Sequence, residues 1–265
     1  MTPSAWEKVL IARDQNRPKA SDFIPLLFQN FISLHGDRGF KDDKALIGGL
    51  AYFDSIPVTV LAQNKGKSIE ENIRFNYAMM HPEGYRKAMR LASQAEKFNR
   101  PIITLVDTPG AYPGKEAEER GQASAIAHCL ALFSTISVPV IAIVLSEGGS
   151  GGALALSVAN KVIMLENAVY SIISPEGFAS ILYKDESKVK DAAEIMKLTA
   201  YDLKETGFVD SIIKEPIGGV QNDITTVSLR IKQQISTYLH ECLKMKPDDL
   251  IKQRMSKFRN IGVIE

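Results

Sequence analysis

The run Ser146-Glu147-Gly148-Gly149-Ser150-Gly151-Gly152-Ala153 puts four glycines into five consecutive positions. The apolar stretch 138–145 before it reads as a buried strand, and the Ala/Leu/Ser segment after it reads as a helix. Glycines at such a junction leave backbone N–H groups uncovered where the helix begins. Those groups lack intrahelical partners and the helix dipole adds positive potential, so the junction attracts negative charge. It can hold a phosphate, or it can stabilise an oxyanion that develops during a reaction.

Three chemistries compete for this loop. Gly148-Gly149-Ser150-Gly151-Gly152 fits the G-x-S-x-G nucleophile elbow, but that reading needs a downstream histidine base. Only His240 follows, in a segment that reads as a surface helix. Asp107-Thr108-Pro109-Gly110 looks like the D-x-x-G segment of a nucleotide site. Yet no G-x-x-x-x-G-K-[ST] cradle exists, because Leu61 stands where Gly66-Lys67-Ser68 would need its first glycine. The third reading is an oxyanion hole made by the N–H groups of Gly151, Gly152 or Ala153, each donor lowering a barrier by ~2.7–4 kcal/mol. A plain alternative is a tight turn where two backbones pack closely. The Gly/Pro-rich loop 109–114, which ends another buried run, favours the oxyanion reading, since paired loops at strand carboxyl ends make an active-site floor.

The elements that must position these loops follow from local pattern. Two helices open the chain, one capped by Ser4 and one by Ser21-Asp22 that runs to about His35-Gly36. Strands are predicted at 45–52 and 56–63, around an Asp54-Ser55 turn, then helices at 68–79 and 82–98. A buried strand at 101–106 precedes a long helix over 116–133. After the glycine junction come strands at 161–165 and 168–173, helices at 175–183 and within 186–206, and a last strand at 209–213. Helices at 225–244 and 247–258 close the chain. Alternating strands and helices predict an α/β fold with parallel strands. One domain over 1–265 is expected, with helical arms at about 1–41 and 219–265.

With 265 residues the chain can bury a full core. A net charge of +1 argues against a nucleic-acid groove or a polybasic membrane face. Cys129 and Cys242 are too few for a zinc ribbon or a disulfide framework, so no metal is expected on this chain. The start reads as no signal peptide, and no apolar run reaches a membrane span of about 18–20 residues. A soluble, cytoplasmic protein is expected.

Several ordered motifs then carry a resemblance. Val106-Asp107-Thr108-Pro109-Gly110-Ala111-Tyr112-Pro113-Gly114, Ala117-Glu118-Glu119-Arg120-Gly121-Gln122 and Glu147-Gly148-Gly149-Ser150-Gly151-Gly152-Ala153-Leu154-Ala155 are three of them. Pro82-Glu83-Gly84-Tyr85-Arg86-Lys87-Ala88, Ser174-Pro175-Glu176-Gly177-Phe178-Ala179 and Asp210-Ser211-Ile212-Ile213 are the others. Together, over about 6–251, they resemble the α subunits of bacterial acetyl-CoA carboxylase carboxyltransferase. Longer members carry a further N-terminal helical segment, and Ala78 and Met80 stand where many relatives have Gly and Pro.

The resemblance implies a crotonase-like (ClpP/crotonase) spiral of β-β-α units. It implies transfer of a carboxyl group from carboxybiotin, held on a separate carrier protein, to acetyl-CoA, giving malonyl-CoA for fatty-acid synthesis. It also implies an α2β2 assembly with a zinc-bearing β subunit, working with the biotin carboxyl carrier protein and with biotin carboxylase, where ATP is used. Two oxyanions arise in such a reaction, one on biotin and one on the thioester. The α subunit would serve biotin's through Gly152 and Ala153, with Gly151 shaping the approach, and the β subunit would serve the thioester's. Gly148, Gly149 and Ser150, with Pro109, Gly110, Ala111 and Tyr112, would line the biotin pocket. No side chain stands out as a general base, which fits proton abstraction by biotin's own nitrogen.

Other residues have plainer expectations. Lys65 and Lys67 are weighed as contacts to a CoA phosphate against a solvated surface. Glu118, Glu119 and Arg120 are expected in structural ion pairs, Asp107 as a support for its loop, and His35, His81 and His128 as structural. The Phe23/Leu27/Phe31 stripe is expected to pack. Two rival functions remain: a crotonase-like enzyme such as an acyl-CoA decarboxylase acting without a partner, and a scaffold that only positions the β subunit.

Overall fold

Strand β5 (Val140–Gly149) runs through the middle of the molecule and is buried along nearly its whole length. Residues buried on both faces read as a continuous apolar run, which is why Val140–Leu145 shows no alternation. The computed structural model describes residues 3–262. On one side of β5 lie β4 (Ile102–Thr108), β3 (Ile56–Gln63), β2 (Leu46–Phe53) and β1 (Gln29–Ser33). On the other side β5 pairs along its first part with β6 (Lys161–Leu165), and β6 with β8 (Ser211–Ile213). Near its end β5 pairs with β7 (Val169–Ser171). β3 with β4, β4 with β5, β5 with β6 and β7, and β6 with β8 pair in parallel; β1 with β2 and β2 with β3 are antiparallel. Helices cover the sheet, giving the expected α/β architecture with a mostly parallel sheet.

The second opening helix is shorter than its stripe suggests. It covers Ala20–Leu27, and Asp22 accepts the backbone N–H of Lys19 at its start. Residues Gln29–Ser33 leave it to pair with β2, Ile32 lying opposite Leu50. Asn30 has φ 52°, outside the right-handed helix region. Phe23 and Leu27 do pack into the main core.

Two further helices are interrupted. The first covers Ile69–Arg74, and Asn76, Tyr77 and Ala78 then adopt φ values of 50°, 54° and 63°. Ala78, where the resemblance expects glycine, thus occupies a backbone region that a Cβ disfavours. The second breaks at Gly121 (φ 81°), which separates Lys115–Glu119 from Gln122–Thr135.

The end segments are packed onto the rest. Helix Ala5–Arg13 buries Ala5, Val9 and Ala12 in a small cluster with Val169, Ala193 and Leu198. Helix Ile224–Leu243 buries Val227, Ile231, Ile235 and Leu239 in the main core. The last helix, Pro247–Asn260, is pinned by Arg254, which is buried. Its guanidinium donates to the carbonyls of Phe133, Ile136 and Val138 at 2.7, 2.8 and 3.1 Å and to Asn160 Oδ1 at 2.6 Å. Arg254→Met should therefore lower stability by about 2–3 kcal/mol, since buried acceptors lose charge-assisted partners. Urea unfolding at neutral pH checks this; an unchanged midpoint would show that the clamp adds nothing. No helix among the described residues is long and apolar enough to cross a membrane.

Candidate functional site

Both glycine loops leave the sheet side by side. Thr108, the last residue of β4, lies opposite Gly148 of β5 in parallel register. The strand reading stopped at 145, whereas β5 continues to Gly149 because β7 pairs with Glu147, Gly148 and Gly149. Ser150, at φ 52°, turns the chain into a helix of five residues, Ser150–Leu154. The N–H groups of Ser150, Gly151 and Gly152 lie in its first turn, where no intrahelical acceptor exists and no side chain caps them.

Close packing explains three of the four glycines. A Cβ on Gly149 would lie 2.0 Å from the Pro109 carbonyl oxygen. One on Gly152 would meet the Ala111 nitrogen and the Gly110 carbonyl carbon, both at 2.5 Å, and one on Gly148 would meet the Tyr170 ring at 2.0 Å. Gly151 differs: a Cβ there would make one ordinary contact, with Ile126 Cγ2 at 3.4 Å, so close packing does not require this glycine. Gly148, Gly152 and Ala153 are buried, Gly149 and Gly151 half-buried, and Ser150 exposed. Thus Pro109, Gly110 and Ala111 are brought against the glycine turn. Tyr112 is drawn elsewhere: its ring stacks on His81 with centroids 4.1 Å apart. Gln122 holds the loop by donating to the carbonyls of Tyr112 and Met80 at 2.9 and 2.8 Å.

A cavity of about 390 Å³ opens beside Ser150 and Gly151. Leu154, Tyr170, Phe178 and Met196 contribute apolar walls. Ile172, at its edge, is among the exposed large apolar side chains.

Beneath the loops lies a charge network that the sequence reading missed. Lys65 sits just past β3 and reaches Glu147 at 2.6 Å and Asp107 at 3.4 Å. Arg13, from the first helix, reaches Glu147 at 2.7 Å and Glu176 at 2.6 Å. Burial would raise the Glu147 pKa, but Lys65 and Arg13 outweigh it and hold the carboxyl below its ordinary value. Burial would likewise lower the Lys65 pKa, and its two carboxylates push it above the ordinary value. Lys65 is therefore committed to Asp107 and Glu147, while Lys67 is exposed and pairs with Asp22. The signal for the network was three charged residues at the carboxyl ends of three predicted strands. It became legible only once those strands were known to be neighbours.

The remaining expectations resolve simply. Arg120 pairs with fully buried Glu83 at 2.7 Å, and Lys115 with Glu119 at 3.5 Å. Among the described residues Ser150 shares no hydrogen bond with a histidine, and His240 bonds the Ser236 carbonyl of its own helix at 2.7 Å, so the serine-hydrolase reading lacks its base. No three His, Cys, Asp or Glu side chains converge among the described residues as a metal site requires.

A family model described as acetyl co-enzyme A carboxylase carboxyltransferase-like matches residues 2–262. The acetyl-coenzyme A carboxylase carboxyl transferase subunit alpha of Staphylococcus haemolyticus is 54% identical over 257 residues, 97% of this chain and 82% of that protein. Its counterpart from Staphylococcus aureus (strain Newman) is 53% identical over the same shares. Among solved structures, a transcarboxylase 12S with methylmalonyl-coenzyme A bound superposes with a TM-score of 0.68 at 20% identity. That match covers 89% of this chain but spans only 45% of the transcarboxylase chain. A Pseudomonas malonate decarboxylase hetero-tetramer in complex with coenzyme A gives 0.65 at 18% identity, over 80% of this chain and 84% of that one. At such identities the structural likeness speaks for the fold alone.

Proposed function

The chain belongs to the acetyl-CoA carboxylase carboxyltransferase-like family, and from that premise we propose that it is the α half of a biotin-dependent acetyl-CoA carboxyltransferase. It moves a carboxyl group from carboxybiotin to acetyl-CoA on a crotonase-like scaffold, giving malonyl-CoA for fatty-acid synthesis. The observation that carries this reading is the uncapped first turn at Ser150–Gly152, set against the 109–111 loop and opening onto an apolar cavity.

The residues present fit a biotin group. The apolar walls of Leu154, Phe178 and Met196 suit its ring system, and the uncapped N–H groups suit its ureido oxygen. Carboxybiotin, when bound, supplies the carboxyl group and an oxygen that gains negative charge as that group leaves. The N–H groups of Gly151, Gly152 and Ala153 donate to that oxygen, each worth ~2.7–4 kcal/mol of barrier when well aimed. Gly148 leaves room for the Tyr170 ring, and Gly149 lets the backbone of the 109–111 loop pack against the turn. Asp107 and Glu147 are held by Lys65 and Arg13, so neither serves as a free general base. Donors for the thioester oxygen belong to a zinc-bearing β subunit in an α2β2 assembly. The carrier protein delivers the group after an ATP-dependent biotin carboxylase has loaded it.

Malonyl-CoA decarboxylation in the presence of biotin, the reverse reaction, tests this with the chain alone and with its β partner. Activity is expected only with both. Turnover by the chain alone would mean a self-sufficient crotonase-like enzyme and would end the division of oxyanion sites.

A further inference from the structure

The glycine helix is too short to hold its own direction. Five residues make barely more than one turn, and helices of that length have no cooperative stability in water. The carbonyls of Gly151, Ala153 and Leu154 accept from the residues that follow, at 2.8–3.1 Å, whereas that of Gly152 accepts from a side chain of another strand. What aims the first turn must come from the surrounding fold.

Gln63, the last residue of β3, is fully buried and has both ends of its amide engaged. Its Nε2 donates to the Gly152 carbonyl at 2.9 Å, and its Oε1 accepts the backbone N–H of Asp107 at 3.1 Å. The amide can face only one way, because Asp107 offers a donor and Gly152 an acceptor. One side chain thus ties the residue just before the 108–111 loop to the middle of the glycine turn. The peptide group is planar and trans, so fixing the Gly152 carbonyl fixes the plane that carries the Ala153 N–H, pointing the opposite way. Gly152 has no Cβ to restrict rotation by itself.

We infer that Gln63 is a positioning residue for carboxyl transfer: by holding the Gly152 carbonyl against Asp107 it aims the donor N–H groups of the glycine turn. This deepens the carboxyltransferase reading and rests on it. Thr104 provides a contrast. It is equally buried and donates to the Leu156 carbonyl at 2.7 Å, beyond the turn's last residue, so it supports the segment without aiming the donors.

The test uses the complex of this chain with its β partner, assayed by malonyl-CoA decarboxylation with free biotin. Gln63→Met keeps the volume and removes both bonds; kcat should fall roughly 10–100-fold with KM little changed. Gln63→Glu keeps the acceptor for Asp107 but donates to Gly152 only when protonated. Its activity should therefore climb towards the wild-type value as pH falls, and this profile decides the matter even where the Met variant does not fold. Thr104→Val should lower the melting temperature without lowering kcat. Wild-type kcat in Gln63→Met, or losses in all three variants that merely follow melting temperature with no pH recovery in Gln63→Glu, would overturn the inference. An inactive wild-type complex is a separate result, which removes the carboxyltransferase reading itself.

Discussion

Gly152→Val is expected to abolish carboxyl transfer while the chain still assembles with its partner. The first added carbon would lie 2.5 Å from the Ala111 nitrogen and 2.5 Å from the Gly110 carbonyl carbon. Both are backbone atoms, and Gln122 and the Met80 carbonyl hold the next residue of that loop in place. Neither neighbour can yield as the end of a flexible side chain would. The turn must move instead, and valine's branched Cβ enlarges the shift. Overpacking of this kind costs about 1–3 kcal/mol of stability, which a well-buried core tolerates. The catalytic loss is larger, about 10²–10³-fold or more, because misplaced N–H donors no longer face the developing charge. Co-purification with the β partner and the decarboxylation assay separate the two effects. Full activity in an assembled Gly152→Val complex would favour a scaffold role for this chain.

Lys65→Met should produce the second large effect, this time on stability. Methionine matches the aliphatic stem of lysine but leaves the Asp107 carboxylate, which is fully buried, without its ammonium partner. Glu147 keeps Arg13 alone. Removing one partner from a buried ionic cluster costs about 3–5 kcal/mol, because the surviving charges are left uncompensated. The pH dependence gives the sign. Glu147 titrates below its ordinary value in the folded protein, so its contribution is present above the unfolded pKa and lost as pH falls through the folded one. Lys65 titrates above its ordinary 10.5, so its contribution is present below that value and fades as pH rises through the folded pKa. The gap between wild type and Lys65→Met should therefore be widest near neutrality and should narrow below about pH 4, where carboxylates take up protons. Denaturant melts across that range measure it. A gap that stays constant with pH would mean the lysine stabilises the site through its aliphatic stem alone.

These two residues also show where sequence reading works and where it stops. The glycine junction at 148–152 and the loop at 109–114 were legible because a buried apolar run followed by glycines is a local pattern, and local backbone sterics dictate its meaning. The strands 45–52 and 56–63 around Asp54-Ser55 emerged within about a residue for the same reason. The helix reading failed where a local pattern was overruled by a neighbour. Phe31 continues the spacing of Phe23 and Leu27, yet Gln29–Ser33 pairs with the free edge of β2. Gly121 carried its own warning, and its left-handed φ splits the predicted long helix.

The sequence by itself determined the α/β class, the two glycine loops and the ordered motifs that mark the family. Each of these depends on residues close together in the chain. Only the tertiary structure decided that β3, β4 and β5 are neighbours, which brings Gln63, Lys65, Asp107 and Glu147 to one end of the sheet. It also decided that Gly149 and Gly152 are glycines because another loop's backbone lies against them. Contacts of that kind are set by strand order and by the balance of burial against ion pairing. No window of adjacent residues records either.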